Sequence, residues 1–165
     1  MGPGKNGSRT QSDHTLEGHT GPVVAFRFLS QGRGLSASQF GELFIWNLED
    51  GKCLVSFDIK ALTSHDGEYA IGLAVDENGQ AWAVTNSGKI IEVDVGSESA
   101  RIAGDCGHIM DMFAFVDLGD GSFLSIDSKS HEVFRSELAT RKERWHHLAG
   151  IEPMDAQMSL HGNAI

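Results

Sequence analysis

The sequence predicts an all-β chain built from about three four-stranded units. Three observations carry that expectation. Short apolar runs of strand length follow one another with almost no helical period, glycine is abundant where proline is scarce, and the pattern of runs and turns repeats along the chain. The 165 residues include 20 glycines and 3 prolines, the balance of a turn-dense fold whose tight turns need positive φ. Val, Ile, Phe and Trp fill the runs, and these side chains suit a pleated, half-buried surface.

Taken in order, residues 1–13 (MGPGKNGSRTQSD) hold Pro3 as their single apolar side chain after Met1. Such a stretch cannot bury enough surface to offset its ordering entropy, so it is expected to be a disordered leader. The first unit, about 14–60, holds strands at Val23–Leu29, Gly34–Ser38, Leu43–Leu48 and Lys52–Phe57, with Asp50-Gly51 turning the chain before the last. A second unit, about 61–104, holds Tyr69–Val75, Ala81–Thr85, Lys89–Val95 and Ala100–Ile102, with turns at Asn78-Gly79 and Ser87-Gly88. The third, about 105–150, holds Met112–Asp117, Ser122–Ile126 and Glu132–Leu138, with Asp120-Gly121 before its second strand. Propensity would allow a helix over Ser136–Leu148, but its place in the repeat favours a strand, a turn and another strand. Residues 151–165 are a tail or the start of a further unit.

Each unit runs in the same sense: histidine turn, apolar strand, small-residue strand, glycine turn, apolar strand, more polar strand. His19, His65 and His108 recur close to the period of about 40–45 residues of a four-stranded propeller blade. The fold class is therefore about three propeller-like blades, with these histidines expected at equivalent positions as structural hydrogen-bonding residues. Residues 18–57, GHTGPVVAFRFLSQGRGLSASQFGELFIWNLEDGKCLVSF, resemble a single WD repeat. Gly18-His19, Gly21-Pro22-Val23, Leu35–Ser38, Gly41 and Ile45–Leu48 carry the resemblance. It implies a buried hydrogen-bonded set of His19, Ser36 or Ser38, and Trp46, completed by an aspartate in the intervening turn. That turn reads Gln39-Phe40 here, so the set is expected to be incomplete and correspondingly weaker. Units two and three match in outline only, with Val93 where the first has Trp46, and Arg135 or Ser136 in the third.

The charge balance narrows function. With 13 basic and 23 acidic residues the net charge is -10, which repels phosphate backbones and anionic headgroups, so neither nucleic acid nor membrane is expected as a partner. Cys53 and Cys106 make no disulfide framework and no zinc pair. No run approaches the roughly 18 apolar residues of a membrane span, and a cytoplasmic location is expected, with a nuclear one open. His146 and His147 point to opposite faces of a strand and chelate poorly. Asp117–Gly121 has a hairpin-turn composition, not the alternating acids of a calcium loop. No GxSxG, P-loop or HExxH motif occurs, and Cys106-Gly107-His108 gives no assured nucleophile pair. No catalytic residue, metal or cofactor is expected.

The function expected is a non-catalytic protein-protein interaction scaffold, as WD-repeat proteins provide. Alternatives are a propeller-type enzyme or small-ligand binder using the inner ends of the blades, and a dedicated single-partner inhibitor or immunity-type binder. Arg144 and Trp145 lie in the one basic patch, RKERWHH, of an acidic chain and are the candidate partner contacts. Closed propellers hold about 4–8 blades, so about three make an incomplete β-propeller. It is expected to be a fragment, or a ring completed by self-association or by missing blades.

Overall fold

The computed structural model describes residues 15–76, 78–107, 110–127 and 129–138. Blade one is a sheet of β1 (Val23–Leu29), β2 (Arg33–Ser38), β3 (Glu42–Asn47) and β4 (Cys53–Asp58), antiparallel and in chain order. Blade two repeats it with β5 (Ala70–Val75), β6 (Ala81–Thr85), β7 (Lys89–Asp94) and β8 (Ser99–Asp105). Blade three contributes β9 (Met110–Asp117), β10 (Ser122–Asp127) and β11 (Val133–Glu137). The fourth strand expected for it, the 1–13 leader and the 151–165 tail lie outside the described residues.

Each blade grades from a dry interior to a wet edge. The small residues of β2 and β6 are almost all buried, whereas β4 and β8 alternate toward solvent. The first strands β1, β5 and β9 lie side by side. Arg27 on β1 stands 3.5 Å from the Asp117 carboxylate of β9, and Asp117 also accepts the Val75 amide of β5 at 3.4 Å. One carboxylate thus links the inner strands of all three blades.

Between blades one and two, Leu35, Ala37, Leu43 and Ile45 meet Leu73, Ala83, Ile91 and Val93, all at 0% exposure. Between blades two and three, Trp82, Val84 and Ile90 pack with Phe115, Phe123 and Leu138. The second contact is close: a Cβ on Gly72 would lie 2.0 Å from the Phe115 ring. A bulge after the first residue of both β1 and β5 confirms that the units repeat in detail.

One element departs from the all-strand expectation. The link from blade one to blade two carries a short helix, α1 (Ile59–Thr63), with Asp58 accepting the Lys60 amide at its N-terminus and left-handed Ser64 (φ 56) at its end. Buried Ile59 anchors it in the first interblade core. The eighth strand also runs on to Asp105, beyond the expected Ala100–Ile102.

Candidate functional site

Strand alternation sets the outer face of blade one. Ser36 lies between Phe26 and Phe44, and Gly34 pairs with Phe28 and Trp46, so these residues share the side turned away from blade two. The segment Gly18-His19 straps the middle of that face, where a Cβ on Gly18 would fall 2.7 Å from the Phe44 ring. His19 stacks on Phe44 with ring centroids 4.2 Å apart.

Under the strap runs a polar chain. Trp46 Nε1 donates to Ser36 Oγ at 2.7 Å, Ser36 Oγ is 2.6 Å from His19 Nε2, and His19 Nδ1 is 3.1 Å from Glu42 Oε2. With the histidine proton on Nδ1, an assignment made from the network, each donor finds an acceptor. Ser38 Oγ donates to the same Glu42 oxygen at 2.6 Å, and the Thr20 amide and hydroxyl donate to the carboxylate at 3.1 and 2.7 Å. Burial opposes the Glu42 charge, but the hydrogen bonds from Ser38, Thr20 and His19 prevail and hold its pKa at about 2. The expectation of a missing acid is therefore corrected. Glu42, the first residue of β3, reaches back to where an acid in the Gln39-Phe40 turn would act, and both Ser36 and Ser38 take part.

His65 does not repeat this arrangement. His65 was expected at an equivalent position, yet its side chain is 72% exposed, with Nδ1 3.7 Å from Glu68. It follows directly on the left-handed Ser64 cap of α1. Blade two instead buries Glu68, which accepts from Ser87 Oγ at 2.5 Å. His108 lies outside the described residues. Val93 pairs with Ala81 as Trp46 pairs with Gly34. In blade three Ser136, two residues before Leu138, holds the place that Trp46 holds before Leu48.

Among the described residues the uncovered apolar surface concentrates on blade one. Phe28 is 76% exposed on the outer face, edge-on to Phe26 with centroids 5.2 Å apart, and Phe40 is 55% exposed in the β2–β3 turn. Sequence reasoning passed over all three of Phe28, Phe40 and Glu42. Two phenylalanines at i and i+2 in β1 signal a shared face, and a phenylalanine in a turn built for Gly, Asn or Asp signals a role other than turning. Arg144, Trp145 and the adjacent His146 and His147 lie outside the described residues.

Two clefts open between the blades at opposite ends. One of about 320 Å³ lies between blades one and two, lined by Gln31, Arg33, Asn78, Gln80 and Asp94. The other, about 490 Å³, lies between blades two and three among Asp105, Asp127, Lys129 and Glu132. Among the described residues no group of three or more His, Cys, Asp or Glu is placed to hold a metal ion. Cys53 is exposed and Cys106 buried, and partial burial pushes the Cys53 thiol up. Asp117 and Asp120 accept the Gly119 and Ser122 amides, the bonds of a tight turn. No described helix is long and apolar enough to cross a membrane.

No family model and no curated protein matches the chain. Among solved structures, the computationally designed Ika4 protein is similar with a TM-score of 0.63 at 18% identity, over 88% of this chain and 83% of that one. U3-55K is similar with a TM-score of 0.63 at 15% identity, over 84% of this chain and 42% of that one. The WD40 repeats of RRP9 give 0.60 at 16%, over 82% and 41%. The chain thus spans well under half the length of the two latter chains. At such identity the likeness speaks for fold alone, and the conclusion is a WD-like propeller fold, with three blades among the described residues.

Proposed function

We propose that the protein is a non-catalytic protein-interaction scaffold. One observation carries this reading: the most exposed large apolar side chains among the described residues, Phe28 and Phe40, stand on the outer face and rim of a rigid blade and not in a cleft. Aromatic residues fixed on a rigid frame are the usual anchors of protein interfaces. The two clefts among the described residues are polar and open, unlike the mostly apolar pockets that bury small ligands, which counts against the enzyme or small-ligand reading. WD40 proteins among the structural neighbours support a scaffold at the level of fold. Completion of the array by further blades, from a second copy or another chain, belongs to the same reading.

The test compares affinity capture by the wild type and by Phe40→Ser, a rim change that leaves the sheet untouched. The scaffold reading expects proteins retained by the wild type in stoichiometric amount and lost by the variant. Equal retention by both, or turnover in a hydrolase substrate screen, would overturn it.

A further inference from the structure

The outer face of blade one is equivalent in register to the face of blade two that blade one covers. Phe26, Ser36 and Phe44 occupy the register positions of Leu73, Ala83 and Ile91. Those three are fully buried against blade one. On blade one the strap covers Phe44 and Trp46, while Phe26 is half-buried and Phe28 stands 76% exposed. A blade face that buries its counterpart elsewhere in the same chain is thus left open at the Phe26–Phe28 side.

We propose that a second copy of this chain covers that face with its own, the two blade-one sheets packing across a two-fold axis near Phe28. The proposal rests on the scaffold reading in one respect, that the array is completed by association, and names the surface and the partner. Three observations select this occupant. Strands β1 to β3 bring no Lys, Arg or Asp to the face: alternation places Phe26, Phe28, Gly34, Ser36, Ser38, Phe44 and Trp46 on it, their one acid, Glu42, is turned into the His19 chain, and the acid of the edge strand, Asp58 beside Glu42, caps α1. A chain of net charge -10 can meet its own copy most easily where neither surface brings a charge directly opposite. The far end of the array is a poorer mate, because the apolar pair of blade three, Ile126 and Val133, is already buried and Arg135 is exposed there. A single face, uncharged around Phe28, meeting itself is the isologous pairing that two-fold dimers use, with the sheets stacking about 10 Å apart as in a sandwich.

Sedimentation velocity over about 1–200 µM, a range that reads micromolar dissociation constants, tests it on the full chain. The wild type is expected to move from one chain mass to twice that mass. Phe28→Lys is expected to stay at one chain mass with unchanged far-ultraviolet circular dichroism, since its side chain touches little in the single chain. Leu124→Lys, on the face of blade three turned away from blade two, is expected to dimerise as the wild type does. A wild type monomeric throughout, or a dimer that survives Phe28→Lys, overturns the proposal. So does a dimer lost in both variants and restored by mixing them, because that marks head-to-tail ring closure. Each of these outcomes leaves the Phe40 capture result standing, so the scaffold reading and this proposal fail separately.

Discussion

Replacing Ser36 by alanine isolates what the polar chain under the strap contributes. Ser36 is 3% exposed, and its hydroxyl takes the Trp46 indole proton while facing His19 Nε2. Alanine keeps the strand and removes the hydroxyl, leaving Trp46 Nε1 without an acceptor in a site where the indole is 1% exposed. One orphaned buried donor costs about 1–3 kcal/mol, and the lost link to His19 adds about 1 kcal/mol. The expected total is about 2–4 kcal/mol, a fall in Tm of roughly 5–15 °C for a domain of this size. Urea and thermal unfolding followed by tryptophan fluorescence and circular dichroism read it. The double variant Ser36→Ala, Trp46→Phe is expected to lose less than the sum of the two single losses, because no indole donor then remains to be orphaned. A Ser36→Ala protein within about 0.5 kcal/mol of the wild type, the range of an ordinary surface change, would refute the reasoning. So would strict additivity.

Acid should act through Glu42. Its folded pKa of about 2 lies below the ordinary 4.5, so its contribution is full above the higher value and is lost as pH falls through the lower. The whole shift would be worth about 3 kcal/mol at about 1.4 kcal/mol per pH unit, and solvent at its open edge brings that to about 1–2 kcal/mol. The stability gap between wild type and Glu42→Gln, measured in urea, should therefore close between pH 4.5 and pH 2, and a gap constant across that window contradicts the network. Gly72→Ala should cost about 1–3 kcal/mol by overpacking, since its Cβ would meet Phe115 at 2.0 Å; an unchanged urea midpoint would show that blades two and three are not so closely seated. Arg27→Ala should cost under about 1 kcal/mol, its ion pair with Asp117 being half in water, and a larger loss in urea unfolding would mean that the inner strands depend on that pair.

Much of the fold was legible because each blade is written in local signals. Val23–Leu29 and Ala81–Thr85 alternate or run apolar between glycine turns, and their observed bounds are those expected. Helix α1 was not legible, because five residues span little more than one turn and show no period. The network's acid was sought in a turn and found one step later in a strand, since a glutamate side chain is long enough to return from Glu42 to His19. His65 misled for the opposite reason: the spacing of a repeat fixes where a residue falls along the chain, not which way an interposed helix cap turns it. Exposure on the outer face was the hardest property to read, since Phe26 and Phe28 follow the same pattern as residues that the next blade buries.

The central claim is that blade one carries a blade face left open in the single chain and closed by its copy. Hydroxyl-radical footprinting of Phe28 across a concentration series tests it most directly. Strong labelling at low concentration that falls as dimer forms is the predicted result. Labelling that is low throughout, or high and indifferent to concentration, would contradict it.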